Sequence, residues 1–325
     1  VNSTLIVIGA SAGGVEALES LVAGLPADLD ASVLVTVHLM PTVRSALPQI
    51  LSRAGPLAAS PAVDGAPVRR GEILVAPPDR HLLLEGGHVR LGRGPRVNRH
   101  RPSIDVLFSS AARWADGAVV AVVLSGALDD GAVGSAIVAR AGGKVLVQDP
   151  ADARFPEMPR AALAAAPSAT TVPLAGLAAA LASAAASRPK PRPSTNGEEP
   201  AMARTMSESD DPHFLAADET HLTRLVCPDC RGSLAEIDLP TVTFYRCHVG
   251  HQWSPQTLAA AQSESTEALL WSAVAALEEQ AALGRHLAGA NGDDELSADH
   301  HRSADRATQL VALLRGQLTA VPGPR

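Results

Sequence analysis

LIVIGASAGG, running from Leu5 to Gly14, joins an apolar run to a glycine-rich turn, and VEALESLVAGL follows with apolar residues at helical spacing. Leu5–Ile8 fits a buried strand, and the turn delivers the chain straight into a helix. A dinucleotide-binding loop requires G-x-G-x-x-G, but position 11 is serine, which spoils the close backbone approach to a pyrophosphate. The same letters satisfy G-x-S-x-G, a sharp elbow that projects a serine hydroxyl beside the N–H groups of a helix start. From this segment alone three readings stand: a nucleophile, a phosphate-binding loop and a plain structural turn.

The 325 residues suffice for one sizeable domain and something smaller. Hydrophobic residues make up 46% but aromatics only 2%, so the core must be built from Ala, Val and Leu. A formal charge of -7 argues against general affinity for nucleic acid. No uninterrupted apolar run reaches the roughly eighteen residues of a membrane span, and no basic leader precedes the first strand, so membrane insertion is not expected and a cytoplasmic location is the default. The three cysteines, Cys227, Cys230 and Cys247, cluster within 21 residues. An odd, clustered set suits a metal site in a reducing compartment better than a disulfide framework.

Residues 1–186 alternate between strand-like runs (Leu5–Ile8, Ser32–Val37, Ile73–Ala76, Ala118–Leu124, Lys144–Gln148) and alanine-rich helical stretches (Ser103–Trp114, Ala132–Ala141, Pro159–Ala165). This pattern predicts a three-layer α/β/α domain with a mostly parallel sheet. Gly86-Gly87, between His81–Glu85 and His88–Leu91, predicts an appended hairpin. Pro156 and Pro159 mark a turn into the domain's last helix. Residues 187–221, rich in proline, small polar residues and mixed charge, read as a flexible linker. A zinc ribbon is expected over 222–254 and an antiparallel helical pair over 255–325, with an apolar stripe of Leu269, Leu270, Ala273, Leu277 and Leu283.

In an open parallel sheet the reactive crevice lies beyond the carboxyl ends of the strands. Ser11 follows strand one there, His38 ends the run SVLVTV, and Asp129-Asp130 follow AVVAVVLSG in the same topological position. The geometry would let His38 deprotonate Ser11 while an aspartate fixes the imidazole. His81, His88 and His100 are competing bases, His81 and His88 read equally well as surface residues, and either aspartate is also a potential helix cap.

These residues lie within a series of ordered words: IGASAGG at 8–14, VTVHLMP at 35–41, ILVAPPDRHLLLEGG at 73–87, NRHRPSIDVLFSSAA at 98–112, VVLSGALDDGAVG at 122–134 and VLVQDPADARFPEMPRAAL at 145–163. Over roughly residues 3–180 the chain resembles the catalytic domain of the chemotaxis protein-glutamate methylesterases. The resemblance implies Ser11 as nucleophile, His38 as base and Asp130 as the catalytic aspartate, with Asp129 in a variable place. It implies hydrolysis of glutamate side-chain methyl esters through an acyl-enzyme, with glutamine deamidation as a related activity and no cofactor for the hydrolysis. The N–H groups of Ala12, Gly13 and Ala127 are candidates to hold the oxyanion. Arg99, His100 and Arg101 form a basic cluster that suits either an acidic surface around the substrate or a solvated, locally paired face. Where the family word reads Met-Gly, this chain has Ala127-Leu128, which bears on the geometry and rate of the site. The implied substrate is a methylated helical protein, such as a chemoreceptor. No receiver domain precedes strand one in this sequence, so activity without phosphorylation is expected. The alternative is a catalytically weakened binding or scaffold protein that retains the fold.

CPDC at 227–230 and CHVGH at 247–251 supply two ligand pairs for a tetrahedral ion. Cys227, Cys230 and Cys247 are the firm members, and His251 is preferred to His248 because a three-residue gap lets both side chains turn inward. A structural zinc is the expected occupant, supplying much of the module's folding energy, ahead of a redox CxxC pair or metal-free cysteines. The form of this segment and its following helix also resembles a C-terminal extension found on some stand-alone methylesterase homologues. A partner contact, self-association through the helices, targeting and an autoinhibitory lid are all compatible with such a tail.

Overall fold

The structure is a computed structural model that describes residues 4–38, 45–114, 118–187, 220–290 and 294–320. Strand β1, Thr4–Ala10, is buried along its whole length and pairs in parallel with β2, Ala31–Val37, on one side and with β7, Val119–Val123, on the other. Its alternating side chains feed two cores: Ile6, Ile8 and Ala10 face one layer, Leu5 and Val7 the other. That two-sided burial explains why the run is continuously apolar rather than alternating.

The remaining strands of the first region are β3 (Ala58–Pro61), β4 (Glu72–Val75), the pair β5 (His81–Glu85) and β6 (His88–Gly92), β8 (Lys144–Gln148) and β9 (Thr170–Val172). The main sheet has seven strands in the order β3-β4-β2-β1-β7-β8-β9, every pairing parallel, while β5 and β6 form the expected antiparallel hairpin. Helices α1 (Gly14–Ala23), α2 (Leu47–Ala54) and α6 (Leu174–Ala186) cover one face through Leu18, Leu21, Leu51, Leu177 and Leu181. Helices α3 (Ile104–Trp114), α4 (Ala132–Arg140) and α5 (Glu157–Ala165) cover the other through Leu107, Phe108, Val138, Met158 and Ala162. Pro159 lies inside the first turn of α5, where a missing N–H removes no helical bond, and α5 is not the last helix, since β9 and α6 follow. Helices α2 and α6 and the short strands β3 and β9 are not among the elements assigned from the sequence; β3 and β9, of four and three residues, are too short to show a period.

The second sheet is antiparallel, in the order β10 (Thr220–Val226), β11 (Ser233–Leu239), β12 (Val242–Cys247) and β13 (Gln252–Trp253). It packs against α4: Ile237 and Phe244 close a small core with Val133, and Val242 lies against Ala132, Ala136 and Ala165. Fully burying such a side chain is worth about 1.5–3 kcal/mol, so docking supplies stability that a poor internal core cannot. Val1–Leu258 accordingly forms one compact unit and Ala259–Arg325 a second. Residues 188–219, which hold nearly all of the expected linker, lie outside the described residues.

Helix α7, Pro255–Ala290, begins in the first unit. Within the second unit its remainder pairs antiparallel with α8, Asp294–Ala320, through Arg315–Glu278 at 2.7 Å and Arg285–Thr308 at 3.4 Å. Their buried seam is Val274, Ala281 and Ala288 against Ala304 and Ala307, whereas Leu269 and Leu283 of the expected apolar stripe are exposed. Small residues win the seam because they let the two helices approach closely; a Cβ on Gly284 would sit 3.2 Å from that of Ala304. The stretch ELSAD, 295–299, lies within α8.

Candidate active site

Ala10 and Val37 are register partners at the ends of β1 and β2, and Ser11 and His38 are the residues that immediately follow them. The chain winds from β1 to β2, β3 and β4 on one side and to β7, β8 and β9 on the other, so the topological switch point lies between β1 and β7, beside Ser11. Gly13 makes the elbow possible. Its φ of 68° is left-handed, and an added Cβ would meet Arg154 and the Ser125 hydroxyl at 3.0–3.1 Å. Ser125 ties the elbow down, donating to the Ala12 carbonyl at 2.8 Å and accepting from the Phe155 N–H at 2.9 Å. At Gly126 the space a Cβ would occupy is taken by Met158 and borders Ser11, so no side chain fits there.

His38 Nδ1 lies 3.0 Å from Ser11 Oγ, and its Nε2 lies 2.8 Å from Asp130 Oδ2. A neutral ring with its proton on Nε2 donates to Asp130 and leaves Nδ1 free to accept the serine proton. Asp130 is 2% exposed and sits at the start of α3, accepting the Ile104 N–H at 2.7 Å, the Asp105 N–H at 3.3 Å and the Ser103 hydroxyl at 2.9 Å. Burial pushes its carboxyl up, but the His38 hydrogen bond and charge, then His100 and the Ile104 amide, outweigh burial and hold it below the usual carboxylate range. The site thus keeps an anion where an imidazolium would form.

Around this triad stand Asp105 and Asn98, which the sequence places in motif words without roles, and His100, which it offers as a competing base. Asp105 is pushed well up by burial and by Asp130; its Oδ1 accepts the N–H groups of Gly131 and Gly134 at 2.9 and 2.7 Å. Asn98 donates to Asp105 at 2.8 Å and to Asp130 at 3.1 Å. His100 stacks flat on His38, with ring centroids 3.5 Å apart and planes 5° from parallel. Burial, then the charge of His38, lowers His100 to about 4, so a neutral ring lies against the candidate base. Asn98 and Arg99, at φ 50° and 70°, form a tight turn closed by reciprocal Val97–His100 backbone bonds of 3.2 and 2.9 Å. Two consecutive left-handed residues are the mark of a two-residue hairpin turn, a geometry asparagine tolerates. An N-R dipeptide inside a polar stretch gives little warning of it.

The N–H groups of Ala12 and Gly13 make no hydrogen bond among the described residues and lie at the start of α1, as an oxyanion site requires. Ala127 is exposed on the loop after β7. Leu128 holds φ 61°, the conformation that a glycine takes without strain, at a cost of about 1 kcal/mol. Arg101 is committed within its own loop: Nη2 and Nε donate to Asp79 at 2.6 and 3.0 Å, and Nη1 to the Gly94 carbonyl at 2.8 Å. Arg99 is half-buried in the turn. Of the competing histidines, His88 is exposed, while His81 is fully buried, its Nε2 bonded to the Pro95 carbonyl and its Nδ1 accepting the Ser103 N–H. His81 is therefore a structural prop of the loop rather than a surface residue.

In the second sheet the ligand atoms of Cys227, Cys230, Cys247 and His251 all lie within 4.8 Å of one another. Two tight turns bring them together, closed by Arg231 N–H to the Cys227 carbonyl at 2.8 Å and Gly250 N–H to the Cys247 carbonyl at 2.9 Å. His251 Nδ1 is 3.5 Å from Cys247 Sγ while its Nε2 faces Asp229 at 3.7 Å, the outer carboxylate that commonly orients a ligand histidine. His248 instead covers Gly232, where an added Cβ would strike its ring. Three free thiols and an oriented imidazole form a donor set that fits a metal ion.

An open parallel sheet with Ser, His and Asp converging at its switch point defines a serine-hydrolase arrangement. The CheB methylesterase family model matches residues 6–181, more than half of the chain, and the chain belongs to that family. Among curated relatives, "Protein-glutamate methylesterase/protein-glutamine glutaminase 5" of Anaeromyxobacter dehalogenans is 42% identical over 163 residues, covering 49% of this chain and 45% of the relative. "Protein-glutamate methylesterase/protein-glutamine glutaminase 2" of Pseudomonas aeruginosa is 40% identical over 181 residues, covering 54% and 52%. The chain thus spans about half the length of these relatives. The crystal structure of the Thermotoga maritima CheB methylesterase catalytic domain superposes with a TM-score of 0.54 at 27% identity, covering 56% of this chain and 99% of that one.

Proposed function

We propose that the chain is a protein-glutamate methylesterase that hydrolyses glutamate side-chain methyl esters with Ser11 as nucleophile, His38 as general base and acid, and Asp130 as its orienting anion. The observation that carries this reading is the unbroken line from Ser11 Oγ through His38 to Asp130, with contacts of 3.0 and 2.8 Å. Ser11 Oγ attacks the ester carbonyl as its proton passes to His38 Nδ1. Oxyanion charge develops toward the Ala12 and Gly13 N–H groups, and Asp130 stabilises the imidazolium. The proton on Nδ1 then goes to the departing methoxide, releasing methanol and leaving an acyl-serine. A water deprotonated by Nδ1 attacks that acyl group, and return of the proton to Ser11 frees the glutamate. With a glutamine side chain the same cycle releases ammonia, in keeping with the second half of the relatives' names.

The substrate in this reading is a methylated helical protein of the chemoreceptor kind, met in the cytoplasm; no described helix is long and apolar enough to cross a membrane. Arg154, 72% exposed and packed beside Gly13, is better placed than Arg101 to meet an acidic substrate surface. The metal held by Cys227, Cys230, Cys247 and His251 is zinc in a structural role, closing the two turns without entering the hydrolysis. Incubating the full chain with a glutamyl-methylated helical protein and locating lost esters by mass spectrometry tests the reading. Loss confined to glutamate esters, with release of methanol, is expected. Intact esters in the presence of folded protein would favour a binding protein that keeps the fold without the activity.

A further inference from the structure

Asn98 uses its whole amide, and it faces two ways. Its Nδ2 donates inward to Asp130 and Asp105; its Oδ1 accepts outward from the Ser254 N–H at 2.8 Å and the Thr257 hydroxyl at 3.1 Å. Carboxylates on one side and donors on the other dictate the amide's orientation, since a flipped group would set oxygen against oxygen. Asn98, Ser254 and Thr257 are 2%, 3% and 1% exposed, so no water replaces these bonds. The backbone is joined as well: the Asn98 N–H donates to the Gln252 carbonyl at 2.9 Å, and Val97 forms a parallel bridge with Gln252. The 97–100 turn therefore extends the second sheet beyond β13, and Gln252 directly follows the ligand residue His251. That turn carries both Asn98, which holds Asp130, and His100, which stacks on His38. Ser254 also caps the neighbouring charge, its hydroxyl donating to Asp129 at 2.6 Å.

We propose that the Cys/His module is a working part of the active site: through β13, Ser254 and Thr257 it pins Asn98, and Asn98 is a positioning residue that sets Asp130 against His38. This rests on the triad chemistry proposed above. A tethered recognition tail would need no buried polar bonds to the support of a catalytic aspartate. Each of these bonds is expensive to leave half-made in a buried place, so the module and the turn move together or not at all.

The test is a double-mutant cycle on the full chain, joining Thr257→Val, which keeps shape but removes the donor, with Asn98→Gly, which keeps the left-handed turn but removes the amide. The readouts are kcat and KM for p-nitrophenyl acetate and the downfield proton resonance of His38 Nε2–H. Thr257→Val alone should lower kcat about tenfold with KM unchanged and shift that resonance, Thr257→Ser should restore both, and Thr257→Val should add nothing on the Asn98→Gly background. Asn98→Gly should also move the acid limb of the pH–rate profile to higher pH, because Asp130 loses a donor to its anionic form. Equal losses from Thr257→Val in both backgrounds, or an unmoved resonance, would overturn the proposal; should Asn98→Gly not fold, the Val and Ser variants at 257 decide it alone. Hydrolysis that survives Ser11→Ala would instead sink the triad reading, while the resonance would still report whether the clamp exists.

Discussion

Asp129 and Asp130 are neighbours held in opposite states by what surrounds them. Asp130 has four protein donors besides His38 and stays anionic. Asp129 has the Ser254 hydroxyl, and burial pushes it up to about 6, with the Asp130 charge adding to the rise. For Asp129 the folded state binds the proton more tightly than the unfolded chain does. Its penalty is therefore absent below the ordinary value of 3.8, grows as pH rises, and is complete above about 6. Asp129→Asn keeps an acceptor for Ser254 and removes the charge, so it should stabilise the protein above pH 6 by up to about 3 kcal/mol and have little effect near pH 4. Thermal melting of both proteins from pH 4 to 8 checks this; a uniform offset across that range would contradict it. Ser11, His38 and the aspartate pair were legible in the sequence because strand ends of a parallel sheet gather on one edge. Their supports were not. Asn98, His100 and Asp105 act from a turn and a helix start; their bonds to Asp130, Ser254 and Thr257 span 25–159 residues, and no local period encodes such contacts.

At the scale of elements, the Cys/His turns and the elbow were readable for the same reason: each is a short-range geometry whose chemistry depends on spacing. The choice of His251 over His248 followed from that spacing, and the structure brings His251 Nδ1 toward Cys247 while His248 covers Gly232. Elemental analysis should find one zinc per chain, lost in Cys227→Ser and largely lost in His251→Ala. Retention in His251→Ala together with loss in His248→Ala would reverse the assignment of the fourth ligand. The helical pair shows where pattern reading fails. Leucines spaced for a helix face suggested the seam, but close helix approach selected Val274, Ala281 and Ala288 instead. In a chain this rich in alanine, the seam does not stand out as the most hydrophobic stripe.

For the molecule as a whole, the C-terminal half divides between the module that packs on α4 and the unit that begins at Ala259. Every hydrogen bond from the C-terminal half to Asn98 and Asp129 comes from residues no later than Thr257 among the described residues. A chain ending at Leu258 should therefore keep its rate on a small ester, whereas one ending at Ser187 should lose about tenfold or more, the scale of a broken buried polar network. A rise in rate for the shorter chain would mean instead that the module acts as a lid. The central claim is narrower than any of these and can be tested directly. Methanol release from a glutamyl-methylated, receptor-like helical protein should be catalysed by the full chain and fall at least about a thousandfold in a folded Ser11→Ala variant. Substantial release by that variant, or none by the unaltered chain, would contradict it.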